Sequence, residues 1–346
     1  MTRTEAAPVL VRARRALGVF GLAIVTAGLI ACQGALTGSE ATTIVPPRRP
    51  NAPSILVVMP DAASPRQVLE GLVGELKDEF NLVPFLVAPD LTPLDLARAI
   101  RREQPKAVVL MNNPTLRVYR RYLASASRDA LRIPAIAVLT SFLRETGEGV
   151  RNLTGVIYEV PLVTSLVNLR ALLSQPIQRV GVVYRPIFKA FLAEQRRLSA
   201  TEGFELVGLS VSGKDEGELR DALTQLRREV DAIWVLNDNR LLKRDMLLDG
   251  WLPALQENRV PVIVNALSLV SSDVSFGTFA VLPDHRALGA QTGQMISTLA
   301  DNGWQFGATK RFEYPISVQK VLDLNFARRH LEIKEAQLAT VDRLVE

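Results

Sequence analysis

The chain has 346 residues, of which 48% are hydrophobic, 22% charged and 6% aromatic. That composition supplies one large core or two medium ones and excludes a mainly disordered chain, a disulfide-stapled miniprotein and a polytopic membrane protein. The formal charge is +5, and Arg3, Arg12, Arg14 and Arg15 against Glu5 place +3 of it in residues 1–31. With only +2 left for everything that follows, nothing in the charge points to nucleic acid.

The first element is a cationic head, Arg12, Arg14 and Arg15, followed by an uncharged run over 16–31. Sixteen residues of helix rise about 24 Å, short of the ~30 Å hydrocarbon core, so the run predicts a secretory signal and not a permanent span. It ends Leu29-Ile30-Ala31-Cys32, and Cys32 is the single cysteine, which rules out an intramolecular disulfide and a multi-cysteine zinc site. The tetrad resembles the lipobox of bacterial lipoproteins, in which the thiol accepts diacylglycerol and the new N-terminus is acylated after cleavage. The resemblance implies a signal peptide over 1–31, lipidation at Cys32 and a location in the cell envelope. More than one acyl chain makes such an anchor stable. Gln33 after the cysteine permits outer-membrane sorting if the cell is Gram-negative. Residues 32–53 carry Gly34, Gly38, Pro46, Pro47, Pro50 and Pro53 without apolar periodicity and predict a flexible tether. Fully extended, 33–53 reaches about 70–75 Å.

From residue 54 the chain alternates apolar runs with amphipathic stretches. Strands are expected at 55–59, 82–88, 107–111 and 135–139. Ser64 with Pro65 and Gln67 predicts a helix start, and Thr92 with Pro93 repeats the cap-and-proline pattern. After a long helix near 162–173 the rhythm resumes, with strands at 180–184, 205–211, 232–236, 261–264 and 274–281. Helices near 188–201, 216–229 and 244–257 separate them. Asp284 predicts the cap of a helix over 285–300. Strand–helix alternation at this spacing predicts an α/β protein with two doubly wound parallel sheets.

Arg151-Asn152-Leu153-Thr154-Gly155-Val156 resembles the Asn-Val-Thr-Gly-Val signature of ABC-transporter substrate-binding proteins with the type I periplasmic-binding fold. The segments 179–184, 230–238 and 275–295, the last with Asp284 and Gly289, fall where that family has recurring strands and a helix. Near the end, 321–333 resembles its strand-Asn-x-x-Ala-x-x-Leu-x-Ile pattern. The likeness spans 54–335. It implies two lobes joined by three chain crossings, the first of 54–158 plus 275–307 and the second of 159–274 plus 308–346. Ligand would lie between them at the carboxyl ends of the strands.

In that arrangement the residues after each strand face the cleft. The first lobe offers Asp61, Ser64, Asn112, Asn113, Thr140 and Ser141; the second offers Tyr184, Arg185, Asn237, Asp238 and Asn265. Arg185 suits a carboxylate held bidentately, and Asp61 or Asp238 suits an ammonium group, so a small amino-acid-like solute is expected. Each Asn and Asp is equally accounted for by turn chemistry. Where many relatives carry Asp-Pro after the fourth strand, this chain runs Thr140-Ser141-Phe142. Relatives that bind aromatic amino acids need stacking partners, for which Phe142, Tyr158 and Tyr184 are candidates; Trp234 and Phe279 lie within strands and are expected in the core.

Catalysis is not expected. Gly208 to Asp215 matches a phosphate-binding loop except at its last place, where Asp215 stands instead of the Ser or Thr that ligates magnesium. His285 and His330 are far apart, no Gly-x-Ser-x-Gly elbow occurs, and the only thiol is assigned to lipid. No cofactor and no metal are implied. The expected partners are a small-molecule solute, an ABC permease or other envelope protein, and the membrane through the lipid anchor. The alternative on the same fold is a non-transport envelope lipoprotein that senses a signal or regulates a partner.

Overall fold

The computed structural model describes residues 44–88, 90–125, 133–255, 258–270, 276–306 and 312–346. The lipobox and Cys32 lie outside the described residues. Among those described, no helix is long and apolar enough to cross a membrane.

Two sheets occur within the unit spanning 41–346. The first holds β1 (Ser54–Met59), β2 (Asn81–Leu86), β3 (Ala107–Met111), β4 (Ala135–Thr140), β5 (Leu153–Ile157) and the short β11 (Phe312–Glu313). The second holds β6 (Arg179–Tyr184), β7 (Glu205–Ser210), β8 (Ala232–Trp234), β9 (Val262–Val264), β10 (Phe279–Pro283), β12 (Val318–Asp323) and β13 (Arg343–Val345). The strand orders are β11-β5-β4-β3-β1-β2 and β13-β12-β10-β9-β8-β6-β7. Both begin with the same winding: a first strand, its successor on one side, then three further strands on the other. Pairing is parallel except between β10 and β12.

The helices are α1 (Ala63–Leu76), α2 (Pro93–Glu103), α3 (Asn113–Ser125), α4 (Leu143–Thr146), α5 (Leu162–Leu172), α6 (Lys189–Ala200), α7 (Glu216–Leu226), α8 (Leu252–Leu255), α9 (His285–Asp301) and α10 (Leu324–His330). They cover both faces of the sheets, which explains the unbroken apolar strands. In β1, Ile55, Val57 and Met59 face the core shared with α1 and α9, while Leu56 and Val58 face the core shared with α2 and α3. All five are fully buried, worth roughly 1.5–3 kcal/mol for each side chain.

Several local expectations change. Ser64 does not cap α1; Ala62 does, without a side-chain bond, and Ser64 lies inside the first turn. Thr92 does cap α2, accepting from Asp95 N while Asp95 accepts from Thr92 N, with Pro93 in the first turn. Asp284 caps α9 by accepting from Arg286 N and Ala287 N. Asp215, the misfit in the loop-like run, caps α7 through Gly217 N and Glu218 N. The helix expected over 244–257 opens as a π-helix, Met246–Trp251, before α8. Pro253 within it lacks the N–H that would reach the carbonyl four residues back, and its ring crowds that carbonyl.

The chain passes between the sheets after β5, after β10 and after β11. The assignment of 275–307 to the first lobe requires a correction. β10 pairs with β9 and β12 in the second sheet, so the second crossing falls at Asp284; α9 returns to the first lobe, and so does β11, which was expected in the second lobe but pairs with β5. There α9 packs closely on α1: a Cβ on Gly71 would sit 2.0 Å from Arg286 O, and one on Gly289 would sit 2.1 Å from Val68 O. The signature around residue 155 has a similar structural cause, because a Cβ there would lie 2.2 Å from Ala137 O of β4. Asn152 of the same signature donates to Tyr119 Oη at 2.7 Å and to Ile133 O at 2.6 Å, tying β5 to the α3–β4 connection.

Candidate functional site

In an open parallel sheet the loops after two adjacent strands diverge where the winding reverses, leaving a crevice at the carboxyl ends. In the first sheet that point lies between β1 and β3, which lead into Asp61 and Asn112. Asp61 accepts from Arg66 Nε at 2.8 Å and Nη2 at 2.6 Å, one turn into α1, and the pair is partly exposed. Asn112 has φ 101° and its Oδ1 accepts from Thr115 N at 3.0 Å, so it starts α3. In the second sheet the reversal lies between β6 and β8. Here Arg185 Nε and Nη2 donate to Asp238 Oδ2 and Oδ1 at 2.7 and 2.8 Å. Arg185 is 16% exposed and Asp238 1%. This bidentate bond to Asp238 is the main reason the guanidinium pKa lies above its ordinary value. Arg185 also stands 5.6 Å from the ring centre of Phe188.

The remaining expected site residues fall into two sets. Asn113 Nδ2 donates to Ser141 O, and its Oδ1 accepts from Ser141 N, both at 2.9 Å, which locks the loop after β3 to the loop after β4. Ser141 Oγ in turn lies 3.4 Å from Asn237 Nδ2, joining the loop after β4 to the loop after β8. Thr140, by contrast, is fully buried and turns to Val138 O. Tyr184 packs on the second-lobe core, and Asn265 Nδ2 donates to Val235 O at 3.1 Å. Ser141, Asn113 and Asn237 are thus brought together, as are Arg185 and Asp238. Asp61 and Asn112 are occupied within their own lobe.

The loop after β4 carries an unexpected group. The β4–β5 register shifts between Ala137 and Thr140, and Leu139 there has φ 56°. Such irregularities re-aim the chain that follows. Phe142, three residues on, has φ 52° and ψ 52°, and its ring crosses to the second lobe. It lies 4.7 Å from the Phe188 ring and meets Phe191 edge-on at 5.4 Å; Phe191 continues to Trp234 at 6.1 Å. Trp234 and Phe279 themselves are core residues, as expected.

Beneath Phe142 lies Glu159, at the first crossing. Its Oε1 accepts from Phe142 N at 2.9 Å. Burial raises its pKa to about 7 against the lowering effect of that bond. Burial likewise lifts Tyr158 to about 12, the neighbouring Glu159 adding to it. Nearby, Tyr314 Oη donates to Glu194 Oε1 at 3.2 Å, and Arg144 stands 4.0 Å from Glu194 and 5.7 Å from the Tyr314 ring centre. The space bounded by Phe142, Glu145, Glu159, Phe191, Glu194 and Tyr314 is about 10 Å³, barely the volume of one water. His285 stacks on Tyr158 with 14° between the rings and is half-buried at the helix start, its pKa lowered chiefly by burial.

A family model described as ABC transporter substrate binding protein matches residues 131–309, from β4 through α9. The chain belongs to that family. This substrate-binding protein is similar in fold to several solved structures. One is the ABC domain in complex with L-Trp from Streptococcus pneumonia, at 20% identity over 86% of this chain and 100% of that one, with a TM-score of 0.53. Another is the ligand-free, open structure of a substrate-binding protein with adhesive properties from Clostridium difficile, at 13% identity, 80% and 94% coverage and a TM-score of 0.60. A conserved domain protein from Vibrio cholerae matches at 20% identity, 85% and 100% coverage and a TM-score of 0.53. The shared architecture is the type I periplasmic-binding fold. No curated protein sequence matches this substrate-binding protein.

Sequence reasoning weighed Phe142 only as a stacking candidate and missed Glu159. A signal for the latter exists: it is the one charge in the run Val156-Ile157-Tyr158-Glu159-Val160-Pro161-Leu162, where a carboxyl is forced inward by its neighbours.

Proposed function

We propose that this protein is the solute-binding component of an ABC transport system, moored outside the cytoplasm by lipid at Cys32 and delivering a small amino-acid-like solute to a permease. The observation that carries this reading is the meeting of Ser141 and Asn237, 3.4 Å apart, from the strand ends of the two sheets. A molecule held there touches both lobes at once, and only such differential contact favours closure. The charges at the second switch point neutralise one another, so they leave no net charge that would favour an ion over a solute without net charge. Phe188 and Phe191 offer an apolar wall for its side chain. The L-Trp named for the Streptococcus structure accords with that wall.

The test is a thermal-shift screen of the full chain against the twenty L-amino acids, nucleosides and small carboxylic acids. A saturable rise in Tm with micromolar affinity, lost in Asn237→Ala, supports uptake. The absence of any shift overturns it.

The 10 Å³ gap favours a second reading: a lipid-tethered sensor or regulator that presents a lobe surface to an envelope partner. Membrane fractionation separates the two. Inner-membrane residence with a bound solute supports transport, and outer-membrane residence without one supports regulation.

A further inference from the structure

The loop after β4 belongs to one lobe by its backbone and to the other by its side chain. Asn113 grips the Ser141 peptide from the first lobe on both its N–H and its C=O. Glu159, at the first crossing, accepts the Phe142 N–H. The Phe142 ring nevertheless packs with the core of the second lobe, against Phe188 and Phe191. A bulky residue with φ 52° persists only where its surroundings over-determine it, and here those surroundings are divided between two bodies.

We propose that Phe142 is an intramolecular latch: its ring occupies the aromatic recess of the second lobe and holds the lobes together in place of a solute, with the Glu159 carboxyl anchoring its main chain. The latch goes beyond solute uptake, since it acts on the chain with nothing added. Any solute that uses the recess must first displace the ring, so its apparent affinity falls by the fraction of molecules in which the recess is open.

The anchor is proton-sensitive. Facing Glu159 are Arg144 and Glu145 from α4, Glu194 from α6, Tyr314 from the third crossing and Tyr158 beside it. Ionising Glu159, which is buried, adds a negative charge beside Glu145, with Glu194 and one guanidinium lining the same small gap. Opening hydrates the carboxyl, so rising pH through about 7 loosens the latch.

Hydrogen exchange read by mass spectrometry on the full chain, without solute, tests this. Phe142→Ala is expected to speed exchange about tenfold in peptides covering both 140–147 and 185–192, while the peptide covering 54–59 is unchanged. After correction for intrinsic rates, the wild type loosens in both peptides at pH 8 relative to pH 6. Glu159→Gln, which still accepts the Phe142 N–H, removes that difference. Unchanged exchange at 185–192 in Phe142→Ala overturns the latch, and an unaltered pH response in Glu159→Gln overturns the role of the carboxyl. If Phe142→Ala loses protection at 54–59 as well, Phe142→Leu decides the matter with the same peptides. No solute enters the measurement, so solute binding is judged separately.

Discussion

The two switch points share one strand order and are finished in opposite ways. In the first sheet, Asp61 turns back to Arg66 on the helix it introduces, and its carboxylate stays partly exposed. In the second, Arg185 and Asp238 bond across the reversal itself and are nearly out of solvent. The first sheet therefore keeps its charge local and sends a loop outward, the loop that carries Phe142. The second seals its crevice with an ion pair and receives that loop. Identical winding does not make the lobes interchangeable: one reaches, the other accepts.

Removing one partner of the sealed pair is expected to have the largest effect. Asp238→Ala leaves Arg185 without its carboxylate in a desolvated site and is expected to cost about 3–5 kcal/mol by urea denaturation. A loss below about 1 kcal/mol would put the two switch points on the same footing. Next comes Glu159, at the crossing between them. Its pKa with the fold intact is about 7 against an ordinary 4.5, so the folded state binds the proton more tightly. The stabilisation is complete below about pH 4.5 and is lost as pH rises through about 7, roughly 3 kcal/mol in all. Glu159→Gln should flatten that slope. Asn113→Ala removes two bonds to the Ser141 peptide and should cost about 1–3 kcal/mol, against about 1 kcal/mol for Asn265→Ala, which loses the single bond to Val235 O. The smallest effect is expected for Asp61→Ala, at most about 1 kcal/mol, because its pair with Arg66 is screened by water.

The strand runs were plain in the sequence because every strand covered on both faces needs consecutive apolar residues, and β1 shows this in all five of its buried positions. Asp284 and Thr92 were legible as caps because their bonds stay within four residues. Ser64 failed as a cap because the helix begins two residues earlier than that cap would place it, at Ala63, with no side-chain bond at its start. β10 was placed in the wrong lobe because nothing local distinguishes an apolar strand that pairs with β9 from one that pairs with β5. Among the site residues, Arg185 and Asp238 were each proposed to hold a ligand charge, yet 53 residues of separation hid that each holds the other.

The periodicity of apolar residues fixed where most of the central strands and their covering helices form and that they alternate, since burial of each face depends only on spacing along the chain. The order of the terminal strands, the return of α9 to the first lobe and the reach of Phe142 into the second were decided in three dimensions. Each depends on contacts between residues distant in sequence, where shape and the exclusion of water choose among partners that look alike in one dimension.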